Sequence, residues 1–161
     1  MDADDRQLVW QLLHEHRWAA LAVTDAEGAA QVSFVAFALG PAGDLILHLS
    51  ELAAHTRHLR RDPRAALGIS AADEGGEDPQ RLPRIALQGA LERIPREAET
   101  YQGLRQRYLQ RLPAAARLFS FGDFSLYVYK IYKARYVGGF GKAHSISGEE
   151  LRKLATTNTT H

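Results

Sequence analysis

Apolar residues follow two kinds of spacing along this chain, one helical and one extended. Over residues 5–16 they recur as on one face of a helix. Alternating or continuous apolar runs then predict strands at 18–24, 31–39, 45–49, 65–70 and 84–94, with a closing pair over 124–132 and 134–137. Turns containing Gly28 and Gly43 join the first three strands, which indicates an antiparallel meander.

Further helical segments lie between and after these strands. The pattern predicts helices over 50–61, over 95–110 with Pro95 in the first turn, and over 112–121. Ser147 and Glu150 have the spacing of a capping box that opens a last helix to about residue 155. The final residues, 156–161, are rich in Thr and Asn and are expected to fray.

The order of these elements predicts a mainly β fold. Close hairpins, one crossover helix and a helix before the closing strands do not suit a parallel sheet. They favour a six-stranded antiparallel barrel with peripheral helices, built as one domain over residues 1–161. The acidic, Gly- and Pro-containing stretch 71–83 has no periodicity and is predicted to be a flexible loop.

Composition narrows the function classes. A chain of 161 residues suits one domain with a sizeable core, and a net charge of +1 favours neither nucleic acid nor a membrane surface as partner. The absence of cysteine excludes disulfides, thiolate catalysis and cysteine-bound metal. No apolar run approaches the roughly 20 residues of a membrane helix. With an acidic start unlike a secretory signal, the cytoplasm is the expected compartment.

The most basic segment, residues 50–64, is a candidate anion site. It follows a predicted strand, and Ser50 is a good residue to cap a helix start. Backbone N–H groups at such a start, together with His55, Thr56 and Arg57, would suit a phosphate. The same spacing is also typical of an amphipathic surface helix whose basic side chains are exposed to solvent.

Four segments resemble one known family. They are ALAVT with QVSFV, SELAAHTRHLRRDPR, RIALQG, and DFSLY with YVGGFGKA, and together they extend over about residues 17–145. These segments resemble the FMN-binding split-barrel proteins related to pyridoxamine 5′-phosphate oxidase. The GGFGKA stretch is most similar to the haem iron utilisation (HugZ-type) branch.

The resemblance implies FMN as cofactor, with haem as a second ligand or a substrate. The cofactor-binding candidates are Ser33, Ser50, His55, Thr56, Arg57, Arg84 and Gln88. His144 is the candidate ligand of a haem iron. Each candidate also has a purely structural interpretation. Ser33 is then a serine at a strand edge, and residues 50–57 belong to a solvated helix. Arg84 and Gln88 form an exposed polar row on a strand, and His144 is a solvated histidine.

The resemblance leaves two functions open. One is a flavin-dependent oxidoreductase or haem-degrading protein, and the other is a dimeric flavin- or haem-binding module without turnover. Pyridoxamine phosphate oxidase activity is not expected, because the Arg-Leu substrate motif of those oxidases is missing after residue 141. The resemblance also implies a homodimer, and the aromatic residues between 119 and 129 are more numerous than one small barrel needs.

Overall fold

The computed structural model describes residues 1–158, and its main feature is one antiparallel sheet of eight strands. The strands are β1 (Trp18–Thr24), β2 (Ala30–Ala36), β3 (Ala38–Leu39), β4 (Leu45–Ser50), β5 (Arg64–Ser70), β6 (Arg84–Ile94), β7 (Phe124–Gly139) and β8 (Lys142–Ser147). Their order in the sheet is β2-β1-β5-β6-β7-β4-β3, and β8 pairs with β7.

The sheet order explains why the strands form a barrel. The two ends of the order, β2 and β3, are consecutive in the chain and only Phe37 separates them. The sheet therefore curls until its edges meet at this break, where the Phe37 side chain is fully buried. The predicted fold class, an antiparallel split barrel with peripheral helices, is confirmed.

Within residues 1–158, four α-helices lie around the barrel: α1 (Ala3–His14), α2 (Ala54–Arg61), α3 (Tyr101–Arg111) and α4 (Gly148–Asn158). The capping box is confirmed, since the Ser147 N–H donates to Glu150 and the Glu150 N–H donates to the Ser147 hydroxyl. α4 runs past the predicted end at 155, and the rest of the predicted frayed end, residues 159–161, lies outside the described residues. No helix in residues 1–158 has the length and apolar content to cross a membrane.

Four predicted elements differ from the structure in bounds or type. The helix predicted from Pro95 begins only at Tyr101, and the helix predicted over 112–121 is a 3-10 helix, Pro113–Ser120. The loop over 71–83 contains a 3-10 turn at Pro79–Arg81. The closing pair of strands is one 16-residue strand, β7, and a further strand, β8, follows it.

The barrel encloses the main core, and a second cluster packs outside it. The second cluster forms where α3 and the 3-10 helix cover β4 and β7, and it contains Ala38, Ile46, Tyr101, Tyr108, Phe119 and Leu126. Tyr127 and Tyr129 are buried as well. The aromatic residues that the sequence suggested as spare surface therefore mostly fill the two cores, and they do not support a dimer.

Candidate functional site

The predicted helix start at Ser50 is wrong. Ser50 is the last residue of β4, paired with Phe124, and its hydroxyl accepts the Leu52 N–H. It therefore closes a turn, and α2 begins at Ala54 with Ala53 as a cap that offers no side-chain hydrogen bond. The reason is local. β4 continues one residue beyond the apolar run, so Ser50 belongs to the strand and its hydroxyl caps the following turn, not the helix.

Most of the basic side chains near α2 are already paired. Arg60 donates to the Glu51 carboxylate and to the Glu51 carbonyl. Arg64 forms an ion pair with Asp62 at 2.8 Å. Arg61 donates to the Thr24 carbonyl at 3.3 Å. Arg60 and Arg64 are thus neutralised by carboxylates, whereas Arg61 keeps further N–H donors. Among residues 1–158, the exposed Arg57 side chain forms no hydrogen bond or ion pair.

Two of the predicted residues meet under α2. The Ser33 hydroxyl and His55 Nδ1 are 3.2 Å apart. Burial, with the nearby His58, lowers the pKa of His55, so the ring favours its neutral form. Thr56 is fully buried and its hydroxyl has no hydrogen-bond partner within the described chain. It faces the protein interior and does not line a surface site.

Arg84 and Gln88 lie elsewhere, on the outer face of the barrel. Their neighbours Ile85 and Leu87 point into the core, so the alternation of β6 turns both polar residues outward. Ser33 is paired with the fully buried Leu21 and is on the inward face of β2. The structure therefore divides the predicted cofactor residues into an α2 group and an outer-face group.

The outer face carries a groove with a floor of small residues. The register aligns Phe34, Ala20, Gly68, Ala86 and Arg135 in one row across five strands. A cavity of about 610 Å³ lies over this row. Strands are about 4.8 Å apart, so Phe34 and Arg135 are separated by roughly 19 Å along the sheet.

A second row beside the first extends the same floor. It runs from Val32 through Ala22, Ala66 and Gln88 to Lys133. A cavity of about 480 Å³ lies over this part of the face. We refer to the two rows and their rims together as the outer groove.

The two rims of the outer groove differ in chemistry. Trp18 and Phe34 stack on one side with ring centroids 6.0 Å apart. On the other side, Arg84 is held by the carbonyls of Gln80 and Leu82, at 2.8 and 3.1 Å, and retains further N–H donors. Arg135 donates to the Ser145 hydroxyl. A flat, largely apolar molecule with carboxylates along one edge fits this arrangement.

Sequence reasoning missed most of this groove. Arg84 and Gln88 were predicted, but Trp18, Phe34 and Arg135 were not. The available signal was the small residues at alternate positions of strands 18–24, 65–70 and 84–94. They reveal a common floor only when the strand order and register are known.

His144 lies on the other side of the β7–β8 hairpin from the outer groove. It pairs with Tyr136, which is fully buried, whereas the neighbouring pair at Arg135 faces outward. His144 Nε2 is 3.3 Å from a carboxylate oxygen of Asp5, a buried residue of α1. Within residues 1–158, no group of three or more His, Cys, Asp or Glu is arranged to hold a metal ion.

Gly138 and Gly139 end β7, and Phe140 and Gly141 form the turn that leads into β8. Gly139 and Gly141 have positive φ, at 127° and 77°. At Gly138 a Cβ would lie 2.5 Å from the Tyr136 hydroxyl and 2.9 Å from Asp5 Oδ1. The close approach that this glycine permits is thus to Asp5 and Tyr136 of the same chain.

His48 is a buried histidine that sequence reasoning did not single out. Its ring stacks on Phe119 with centroids 3.7 Å apart, inside the second core cluster. Burial, together with Arg96 and Arg105, lowers its pKa to about 4. The ring is therefore neutral at neutral pH and acts as part of the packing.

Comparisons with known proteins agree on one family. A family model described as "CREG, beta-barrel" matches residues 6–153. The heme oxygenase HutZ of Vibrio cholerae is 23% identical over 141 residues, covering 85% of this chain and 78% of that protein. The chloroplastic non-canonical heme oxygenase HOZ of Arabidopsis thaliana is 35% identical over 123 residues, covering 76% of this chain and 36% of that protein.

A solved structure gives the same picture. The structure of a heme binding protein from Mycobacterium smegmatis superposes with a TM-score of 0.84 at 29% identity, over 95% of this chain and 62% of that one. This chain therefore spans less than two thirds of the length of the Arabidopsis and mycobacterial proteins. The predicted resemblance to haem-utilisation split barrels is confirmed.

Proposed function

The chain belongs to the CREG beta-barrel family, and we propose that it binds haem in the outer groove as a protein of haem utilisation. The observation that carries the proposal is the asymmetry of the groove, with an aromatic rim, a floor of alanines and glycine, and an arginine rim. The names of the related proteins, two heme oxygenases and a heme binding protein, support the same ligand.

The groove residues have separable roles in this proposal. The floor at Ala20, Gly68 and Ala86 accepts a porphyrin plane because no side chain projects above it. Arg84 and Arg135 pair with the two propionates. Trp18 and Phe34 cover the apolar edge of the ring and exclude water from it. Bound haem supplies an iron at which oxygen chemistry is possible.

We propose His144 as the ligand of the iron, as the sequence predicts. A metal-binding histidine usually gives its other ring N–H to a carboxylate, and Asp5 is in position to accept one from His144 Nε2. Nδ1 then remains for the metal. Since His144 does not line the groove of its own chain, the proposal assigns this ligation to the second copy of a dimer.

FMN is the alternative occupant, and the surroundings of α2 support it less well. A flavin phosphate needs several cationic donors, and Arg60 and Arg64 are already paired with carboxylates within the chain. The Ser50 hydroxyl accepts the Leu52 N–H and keeps its own O–H to donate. Arg57, Arg61 and the His55–Ser33 pair are the other donors near this position.

Titration with hemin and, separately, with FMN tests this choice. We expect hemin to give a Soret band that saturates at one equivalent per chain, and micromolar FMN to show no fluorescence quenching. We expect His144→Ala to shift the Soret band while iron-free protoporphyrin still binds, because the groove and not the iron ligand holds the ring. His16→Ala, at a partly buried histidine between α1 and β1, is the matched control.

Two outcomes would contradict the proposal. Quenching of FMN fluorescence at micromolar protein, without a Soret band from hemin, would identify a flavoprotein. A Soret band that is identical in native protein and His144→Ala would remove His144 from the site. Adding ascorbate and oxygen to the haem complex distinguishes the remaining functions. Loss of the Soret band supports a haem oxygenase, the activity for which two relatives are named. A stable Soret band supports a binding module without turnover.

We propose that the protein is a homodimer that associates through the rim of the outer groove. Trp18, Val32 and Phe34 are 61%, 66% and 61% exposed and adjoin one another on β1 and β2. Contiguous apolar surface of this kind marks an interface. A second copy of the chain would cover it and place two grooves together. The cytoplasm stays a prediction of the sequence.

Light scattering tests the dimer. We expect a mass of twice 17.9 kDa for native protein. Phe34→Glu is expected to give a monomer, because it places a carboxylate in the centre of the apolar patch. Phe140→Glu changes another exposed phenylalanine, in the hairpin turn, and should leave the dimer intact. A monomeric native protein would overturn this part of the proposal.

A further inference from the structure

A second cleft lies where residues of α1, α3 and α4 come together. Its volume is about 440 Å³, within the range of small-molecule sites. Trp10 and His14 of α1 contribute to one wall, and Arg107 and Arg111 of α3 contribute to another. None of the residues that carry the proposed haem site lines this cleft, so the inference below stands apart from the proposed function.

The first wall is aromatic. The indole of Trp10 and the imidazole of His14 stack with centroids 4.7 Å apart and planes 16° apart. Trp10 is half-buried against the main core, which fixes its orientation, and His14 is exposed. A fixed aromatic pair at the edge of a cleft is a surface on which a planar base can stack.

The second wall is cationic. Arg107 and Arg111 are four residues apart and so lie on one face of α3. Arg107 Nε donates to the Leu39 carbonyl at 3.1 Å, which holds its guanidinium in place and leaves the terminal nitrogens free for a ligand. Two like charges at this spacing repel each other, and a bound anion relieves the repulsion.

No carboxylate opposes these two cations. Among the described residues, the lining consists of Trp10, His14, Leu39, Arg107, Gln110, Arg111 and Asn158, with no aspartate or glutamate. In the same part of the chain neither arginine takes part in an ion pair. This contrasts with Arg60, Arg64 and Arg81, each of which is paired with an acidic residue.

We propose that this cleft binds a nucleotide. The two guanidinium groups take the phosphates through charge-assisted hydrogen bonds, and the Trp10–His14 pair takes the base by stacking. The amide of Gln110 contributes hydrogen-bond donors and acceptors between them.

Isothermal calorimetry with ADP, adenosine and inorganic phosphate tests the proposal. We expect ADP to bind at one equivalent per chain, and adenosine and phosphate to bind at least about tenfold more weakly, because each makes only half of the contacts. Arg107→Gln and Arg111→Gln are each expected to weaken ADP binding by about tenfold. Arg117→Gln, on the exposed 3-10 helix outside the cleft, should change nothing.

Tryptophan fluorescence gives an independent readout of position. The chain has two tryptophans, and Trp10 alone lines the cleft. ADP is expected to quench the emission of Trp18→Phe, in which Trp10 is the remaining tryptophan. Since Arg107 also holds the Leu39 carbonyl, Arg111→Gln serves as the variant with no internal hydrogen bond to lose if Arg107→Gln unfolds.

Three results would each overturn the proposal. The first is no heat of binding with millimolar ADP. The second is phosphate binding as tightly as ADP, which would mean a simple anion site. The third is undiminished ADP binding by Arg111→Gln together with unquenched Trp10 emission, which would locate the nucleotide elsewhere.

Discussion

Ala86→Phe is expected to lower the affinity for hemin by about 100-fold, because it fills the floor of the outer groove. Ala86 is exposed at the centre of the row, between Gly68 of β5 and Arg135 of β7. A phenyl ring there stands above the sheet, in the volume that the porphyrin plane would occupy. Because the side chain points away from the core, the fold itself should be unchanged.

The measurement is a Soret titration of the variant beside two controls. Ala116→Phe makes the same substitution at an exposed position of the 3-10 helix and should bind hemin as the native protein does. Circular dichroism and the thermal midpoint should agree among all three proteins. If Ala86→Phe binds hemin with native affinity, the haem site is not the outer groove.

Asp44→Ala is expected to destabilise the fold by about 3 kcal/mol, the largest effect on stability that we predict. The Asp44 side chain is buried before β4 and accepts the buried Ile131 N–H of β7 at 3.0 Å. The Arg152 guanidinium of α4 lies 3.5 Å away. Removing the carboxylate leaves a buried backbone donor without a partner and frees the contact between α4 and the barrel.

Urea unfolding followed by circular dichroism measures this loss. Asp44→Asn keeps an acceptor for the Ile131 N–H, so it should lose less than half as much stability as Asp44→Ala. Glu74→Ala, in the exposed acidic loop, is the control and should stay within about 0.5 kcal/mol of native. Equal losses of stability for the Ala and Asn variants would show that the ion pair between Asp44 and Arg152, and not the hydrogen bond from the Ile131 N–H, stabilises the contact between α4 and the barrel.

Local signals made much of the secondary structure predictable. β6 occupies residues 84–94 as predicted, because the buried Ile85, Leu87 and Leu91 recur at even spacing along it. The capping box fixed the start of α4 through two hydrogen bonds between near neighbours. β8 was missed because five of its six residues are not buried, so it has almost no apolar alternation. The start of α2 was misplaced because Ser50 can cap either a turn or a helix.

The candidate site was harder to predict because it is made by pairing between distant strands. Ala20, Gly68 and Ala86 come from three separate parts of the chain, and only the registers of β1 with β5 and β5 with β6 align them. His144 was predicted as a ligand from the sequence, but it lies on the face of the β7–β8 hairpin that points away from the outer groove. Its side chain therefore contacts Asp5 and does not line the groove of its own chain.

The sequence by itself determined most of the secondary-structure elements, because the hydrophobic period, the turn glycines and the capping pairs act over a few residues. It also determined the family, because the GGFGKA stretch and the neighbouring segments occur in the order that is characteristic of that family. Only the tertiary structure decided which polar groups are free to bind a ligand. Arg60 and Arg64 look available in the sequence and are paired with carboxylates in the fold. The sequence does not single out Arg107 or Arg111 as a ligand-binding residue. In the fold both line a cleft, and none of the described residues that line it is an aspartate or glutamate. Whether a charge is neutralised depends on what the fold brings within about 4 Å of it, and strand register and helix packing set that distance.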